Sequence, residues 1–242
     1  MHIAAPHSVS DQEADHSRRF NMYQSVHKGL RAFMADTLTK VGQTDYTDAV
    51  ERQETAAQLR SLLSICAEHL AHENRFVHSA MESRQPGSAA RCVGEHVEHV
   101  AQIGGLGGCL DHALAASADK QAAAWQHLYH ALSLFVAENY EHMLLEEREH
   151  NAVLWRHFSD AELIEIHDAL LASVPPDEMA VHFRWMLPQL SHPERVGMLS
   201  GMRQGMPPEV FASQLNMARP LLDERAWRKL TAALQVGGAA HG

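Results

Sequence analysis

Two short segments of this 242-residue chain repeat one arrangement: Glu68-His69-Leu70-Ala71-His72-Glu73 and Glu141-His142-Met143-Leu144-Leu145-Glu146. In both, a histidine is followed four residues later by a glutamate. On a helix, residues i and i+4 lie one turn apart on one face, so each pair presents an imidazole and a carboxylate to the same small volume. Nitrogen and oxygen donors together in that way are metal-ligand chemistry. A lone histidine precedes each pair at similar range, His27 before His69 and His96 before His142. Two related helix hairpins would produce this spacing, which predicts pseudo-twofold symmetry.

Apolar periodicity turns His27, His69, Glu73, His96, His142 and Glu146 toward one axis. Two buried carboxylates without Lys or Arg beside them are costly unless positive charge neutralises them, and metal ions supply that charge. Mixed imidazole and carboxylate donors suit iron or manganese, with zinc a weaker fit in the absence of thiolate. Two bridging carboxylates suit two ions rather than one, so a pair of irons is the expected cofactor. Tyr23, one turn before His27, reads equally as a core aromatic or as a hydroxyl bonded to a bridging oxygen. His72 matches Leu145 in the second repeat and reads as helix flank or as support for a ligand. Asn139, one turn before His142, can orient a ligand, and Glu147 reads as surface or as support behind the ligands. His78, His112, His127, His130, His150 and His157 have no partner at the repeat spacing and read as surface or satisfied interior residues.

The elements that must position these residues are helices. Apolar residues recur at three- and four-residue spacing, and short alternating β-branched runs are missing, so the expected fold class is all-α. The pattern predicts a first helix from about Ser10-Asp11 to Lys40, a second over Asp48 to Glu82, a third over Ala89 to Ala116 and a fourth over Lys120 to Phe158. Gly104-Gly105 and Gly107-Gly108 weaken the third helix and are expected to permit close helix contact or a bend. Short turns between four long helices imply an up-down-up-down bundle over residues 1–159. Residues 160–242 change character: short helices each start at a Pro or cap signal, as at Pro175-Pro176-Asp177, Ser191-His192-Pro193-Glu194 and Pro207-Pro208-Glu209. Trp185, Met186, Leu187, Met198, Met202, Phe211, Met217 and Trp227 make this extension too apolar to stay exposed. It is expected to pack on the bundle, on a second copy of the chain or on a protein partner. His167, His182 and His192 lack an HxxxE partner there, so no ligand is expected from it.

Composition narrows the function classes. With 30 Asp+Glu against 20 Lys+Arg the formal charge is -10, which disfavours nucleic acid as a partner. Cys66, Cys92 and Cys109 lie in apolar helical runs with no CxxC spacing and read as reduced core thiols. No run of eighteen apolar residues and no leader pattern over Met1 to Phe20 is present, so the expected setting is the cytoplasm, off the membrane. Of 19 histidines, eleven fall between His69 and His157, where the repeated pairs lie.

At these residues the chain resembles the hemerythrin-like cation-binding proteins. The similarity runs from Met22-Tyr23-Gln24-Ser25-Val26-His27-Lys28-Gly29-Leu30-Arg31 to His142-Met143-Leu144-Leu145-Glu146-Glu147, roughly the first two-thirds of the chain. The family pattern is a lone His on helix 1, HxxxE on helix 2, a His on helix 3 and a His with a carboxylate on helix 4. His27, His69 with Glu73, His96, and His142 with Glu146 match it. Arg184-Trp185-Met186-Leu187-Pro188 and Pro193-Glu194-Arg195 look like the extension of a bacterial subgroup. The implied cofactor is a pair of iron ions (Fe2+/Fe3+) joined by an oxo or hydroxo bridge. Oxygen-carrying hemerythrins use HxxxH on helix 3, whereas here His96 and His99 are three apart, so either is the ligand with the other behind it. More imidazole favours reversible O2 chemistry and more carboxylate favours oxidative turnover; four His with two Glu lies between, and binding or sensing of O2 or another small diatomic is the expected function. A di-iron oxidase or peroxidase-type enzyme, and iron storage or iron-centre repair, are the alternatives.

Overall fold

The computed structural model describes residues 19–236, and among them there is helix and no strand. The long helices are α1 (Tyr23–Gln43), α2 (Ala49–His72), α4 (Ala90–Ala115) and α5 (Gln121–Leu145). A π-helical turn, Glu73–His78, joins α2 to α3 (Ser79–Arg84), and a second, Glu146–His150, joins α5 to α6 (Asn151–His157). The shorter helices follow: α7 (Asp160–Ser173), α8 (Pro176–Met186), α9 (His192–Gly205), α10 (Pro208–Ala218) and α11 (Glu224–Leu234). No helix among the described residues is long and apolar enough to cross a membrane.

Local chemistry sets these boundaries. The expected start at Ser10-Asp11 lies outside the described residues, but Arg19 to Met22 are not helical, so α1 begins later than the periodicity suggested. The Asn21 side chain accepts from the backbone N–H groups of Tyr23 and Gln24 and satisfies two donors that a helix start leaves unpaired. Asp48 does the same for Val50 and Glu51 at α2. Ser159 and Glu162 form a reciprocal capping box at α7, while Pro176 and Pro208 open α8 and α10.

Each long helix packs against two others, in the ring α1, α2, α4, α5. Leu30, Phe33 and Met34 meet Leu59, Leu62 and Cys66, then Leu106 and Leu110, then Leu128, Leu132 and Phe135 in one apolar layer. A second layer joins Tyr23, Val77, Met81, Leu154, Phe158 and Leu163. In sequence, His27, Glu73, His96 and Glu146 fall between residues of the first layer and residues of the second, or of its flank. Each buried leucine contributes roughly 1.5–3 kcal/mol, and that apolar surplus offsets the cost of interior carboxylates.

The extension meets the long helices chiefly through α8. Helix α8 packs along α1, with the Trp185 ring stacked on Phe33 at 4.2 Å between centroids. Phe183, Leu187, Leu199, Phe211, Leu230 and Leu234 form a smaller core of their own, with Met198, Met202 and Trp227 against it. Lys28 Nζ reaches Glu194 at 2.5 Å and ties α1 to the start of α9.

Glycine roles differ from expectation. Nothing lies within 4 Å of a Cβ built at Gly104, Gly105, Gly107 or Gly108, so these glycines do not serve close packing. At Gly29 such a Cβ would stand 3.0 Å from Met186 Cα. Gly29→Ala is therefore expected to destabilise by about 1–3 kcal/mol, because the α8 backbone must move. Gly105→Ala, in an exposed helix interior, is expected to stabilise by about 0.5–1 kcal/mol. Urea midpoints of the two variants check both signs; an unchanged Gly29→Ala midpoint would contradict the seating of α8.

Candidate metal centre

The six residues matched by spacing converge in the polar layer between the two apolar ones. Glu73 comes from the first π turn, Glu146 from the second, and each is buried. Glu73 Oε1 lies 3.6 Å from His27 Nε2 and 3.1 Å from His69 Nε2, while Glu146 Oε2 lies 3.5 Å from His27 Nε2. The other two oxygens face the other imidazoles. Glu73 Oε2 is 3.6 Å from His96 Nε2, and Glu146 Oε1 is 3.7 Å from His96 Nε2 and 3.4 Å from His142 Nε2. Each carboxylate thus divides its oxygens between the pair His27/His69 and the pair His96/His142.

Donors around one ion, at about 2.0–2.2 Å from it, stand about 3.0–3.5 Å from each other. The spacings above are close to that, and all but the 3.1 Å between His69 and Glu73 are longer than good hydrogen bonds. All four carboxylate oxygens, with His27 Nε2 and His69 Nε2, are buried without a hydrogen-bond partner among the described residues. Orphaned polar atoms of this kind are costly unless something unites them. Ligand atoms of Glu73, His96, His142 and Glu146 lie within 4.8 Å of one another, as do those of His27, His69 and Glu73. These groups can hold a metal ion.

The outer nitrogens explain how the rings are aimed. His27 Nδ1 donates to Glu147 Oε1 at 3.1 Å, His96 Nδ1 to Asn74 Oδ1 at 2.9 Å, and His142 Nδ1 to Glu95 Oε2 at 2.7 Å. Glu147 is itself held by Arg31. A neutral imidazole that donates through Nδ1 turns the Nε2 lone pair inward, the tautomer a metal requires. His96 Nε2 and His142 Nε2 then face each other at 2.9 Å, a repulsive pairing unless a proton or cation lies between them.

Electrostatics agree. Burial opposes charge on His27, yet the carboxylates of Glu147 and Glu73, with Glu146 near, raise it to about 9. Burial likewise opposes charge on His142, and Glu146 and Glu95 raise it to about 9. Burial also works against ionisation of Glu73 and Glu146, but the surrounding imidazoles hold both below the usual carboxylate range. Protons here stand where cationic charge is wanted.

The supporting residues separate. Tyr23 sits beside the cluster, its hydroxyl 3.0 Å from His150 Nδ1, with its pKa pushed well up by burial and then by Glu146 and Glu73. His99 lies behind His142, ring edge against ring, and its Nδ1 meets no partner; His96 is the one among the carboxylates. Asn139 donates to the carbonyl of Phe135 on its own helix and does not orient His142. His72 faces away from the carboxylates, its Nδ1 3.9 Å from Glu178 of α8.

Spacing alone overlooked several residues. His78 and His150 are interior residues, buried beside Glu146 with ligand atoms within 4.8 Å of one another; His150 is satisfied by the Tyr23 hydroxyl, whereas His78 Nε2 has no partner among the described residues. Burial, then the neighbouring His96, lowers His78 to about 4, so it is neutral with Nδ1 on Asn74. In an α-helix, positions 73 and 78 would diverge by about 140° around the axis; the π turn brings them onto one face. Glu95 and Asn74, each adjacent to a matched residue in sequence, carried no signal of their own. His182 has no HxxxE partner, but Glu178, one turn earlier on α8, stands 3.4 Å from its Nε2. The pair is the reversed spacing, ExxxH, which also puts both groups on one helix face.

Comparison with known proteins finds no matching family model, no matching curated protein and no matching solved structure.

Proposed function

We propose that this chain is a non-haem di-iron protein of the hemerythrin type, a four-helix bundle whose metal pair binds or senses dioxygen or a related diatomic. The observation that carries this reading is the division of Glu73 and Glu146, each with one oxygen toward His27/His69 and the other toward His96/His142. Two four-donor half-sites sharing two carboxylates suit two ions, and the mixed donors suit iron. Bound iron supplies the redox and ligand chemistry that side chains lack. The chain's own residues aim the imidazoles through Glu147, Asn74 and Glu95 and exclude bulk water with apolar layers on both sides. Tyr23 and His150 hold a proton beside Glu146. His78 and His150 add imidazole to a four-His, two-Glu set, which favours reversible binding over carboxylate-driven turnover.

The test is anaerobic purification after iron-replete expression, with metal analysis and optical spectra before and after air. About two irons per chain and a spectral change that reverses when oxygen is withdrawn are expected. A metal-free protein, or one with a single tightly held zinc, would overturn the reading. Iron delivery or repair is a second reading, favoured by His69. Its side chain is 12% exposed against no more than 4% for the other five, and its Nδ1 has no acceptor among the described residues. Rapid loss of iron to a mild chelator would support that alternative.

A further inference from the structure

We infer that His72, Glu178 and His182 form a second divalent-cation site, at the rim of the bundle, from which ions pass inward to His69. The site joins the last turn of α2 to the extension helix α8. Glu178 Oε1 lies between two imidazoles, 3.4 Å from His182 Nε2 and 3.9 Å from His72 Nδ1. That oxygen is buried and receives no hydrogen bond among the described residues. Two imidazoles and one carboxylate suit a first-row divalent ion with water in the remaining positions. The His72 and His182 nitrogens stand too far apart to share an ion as placed, but the His72 side chain holds no hydrogen bond among the described residues, so its ring is free to turn toward the other two donors.

Three further features point to an ion that arrives from solvent. All three side chains keep 11–14% of their surface exposed, so this is a rim and not a second sealed core. The exposed carboxylates of Glu68 and Asp177 press on Glu178, whose pKa burial and these charges raise, and a cation relieves that field. His182 is near enough to His69 and His72 for their charges to bear on it. His69 is in turn the most exposed of the six core residues and the one without a partner fixing Nδ1, so its ring can take up an ion at the rim and turn it inward. The net charge of -10 draws cations to the surface in general; the imidazoles select where one stops.

The passage of ions inward rests on the proposed core centre, whereas the rim site itself does not. The experiment uses the full chain and Co2+ in equilibrium dialysis. With Glu73→Ala and Glu146→Ala removing the core set, about one Co2+ per chain is expected to remain. Adding Glu178→Gln or His182→Ala should abolish it, while Asp177→Asn, which removes charge but no donor, should keep it. Should the combined variants fold poorly, Glu178→Gln alone provides the second measurement: anaerobic Fe2+ loading of the core slowed about tenfold or more with the final content unchanged. Cobalt uptake that ignores Glu178 and His182 overturns the rim site, and an unchanged loading rate overturns its role in loading. If unaltered protein holds no core metal yet shows the Glu178-dependent ion, the core reading fails and the rim site stands.

Discussion

Glu73→Ala and Glu146→Ala are each expected to strip most of the metal from the core centre, because each carboxylate has oxygens toward both pairs of imidazoles. Losing one removes a donor from each half-site and leaves the opposite carboxylate facing the imidazoles alone. Substitutions behind the ligands should act more gently: Glu95→Gln and Glu147→Gln loosen the aim of His142 and His27 and are expected to weaken binding about 10–100-fold. Asn139→Ala, whose side chain bonds only its own helix, and His72→Ala, which faces Glu178, should leave the core ions in place. Thermal stability offers an independent reading. An ion present at a thousand times its Kd adds about 4 kcal/mol, worth roughly 8–16 °C in Tm for a chain of this size. Metal-supplemented Tm should therefore rise clearly less in the glutamate variants, which keep only the rim site, than in the unaltered protein. Equal metal content in Glu146→Ala and Asn139→Ala would remove the basis for a shared centre.

The second large effect is a pH dependence that changes sign with metal. In the metal-free protein His27 and His142 have pKa values of about 9, above the 6.5 of an unfolded histidine. A raised pKa in the folded state means stability that is fully present below pH 6.5 and lost as pH rises through 9. The two groups share Glu146, so their contributions overlap; together they are on the order of 5 kcal/mol, roughly 10–20 °C in Tm. Metal displaces those protons, so affinity increases over the same window and loading near pH 7.5 should release about two protons per chain. Melting curves at pH 6 and pH 9, with and without metal, together with proton release in weak buffer, check both arms. A metal-free Tm that stays flat across that window would show that the imidazoles are not paired with these carboxylates.

These expectations draw on different levels of the molecule. The HxxxE pairs and the helical period were legible in the sequence, because an i, i+4 relation and a 3.6-residue repeat are local properties that the chain carries wherever it folds. Capping signals at Ser159, Pro176 and Pro208 were legible for the same reason, and so was the inward phase of His27 and His96. Other features needed the tertiary structure. His78 reaches the core face only because a π turn inserts after Glu73, and Gly29 is required only because Met186 of a distant helix lies against it. The choice between His96 and His99 depended on which ring faced Glu73 and Glu146 from the neighbouring helices. Glu147, Asn74 and Glu95 became supports through contacts with other helices, invisible to a period within one. His72 is separated from Glu178 and His182 by more than a hundred residues of chain, and they meet because α8 folds back toward the end of α2. Local spacing sets which donors share a helix face, and packing between helices decides which faces meet.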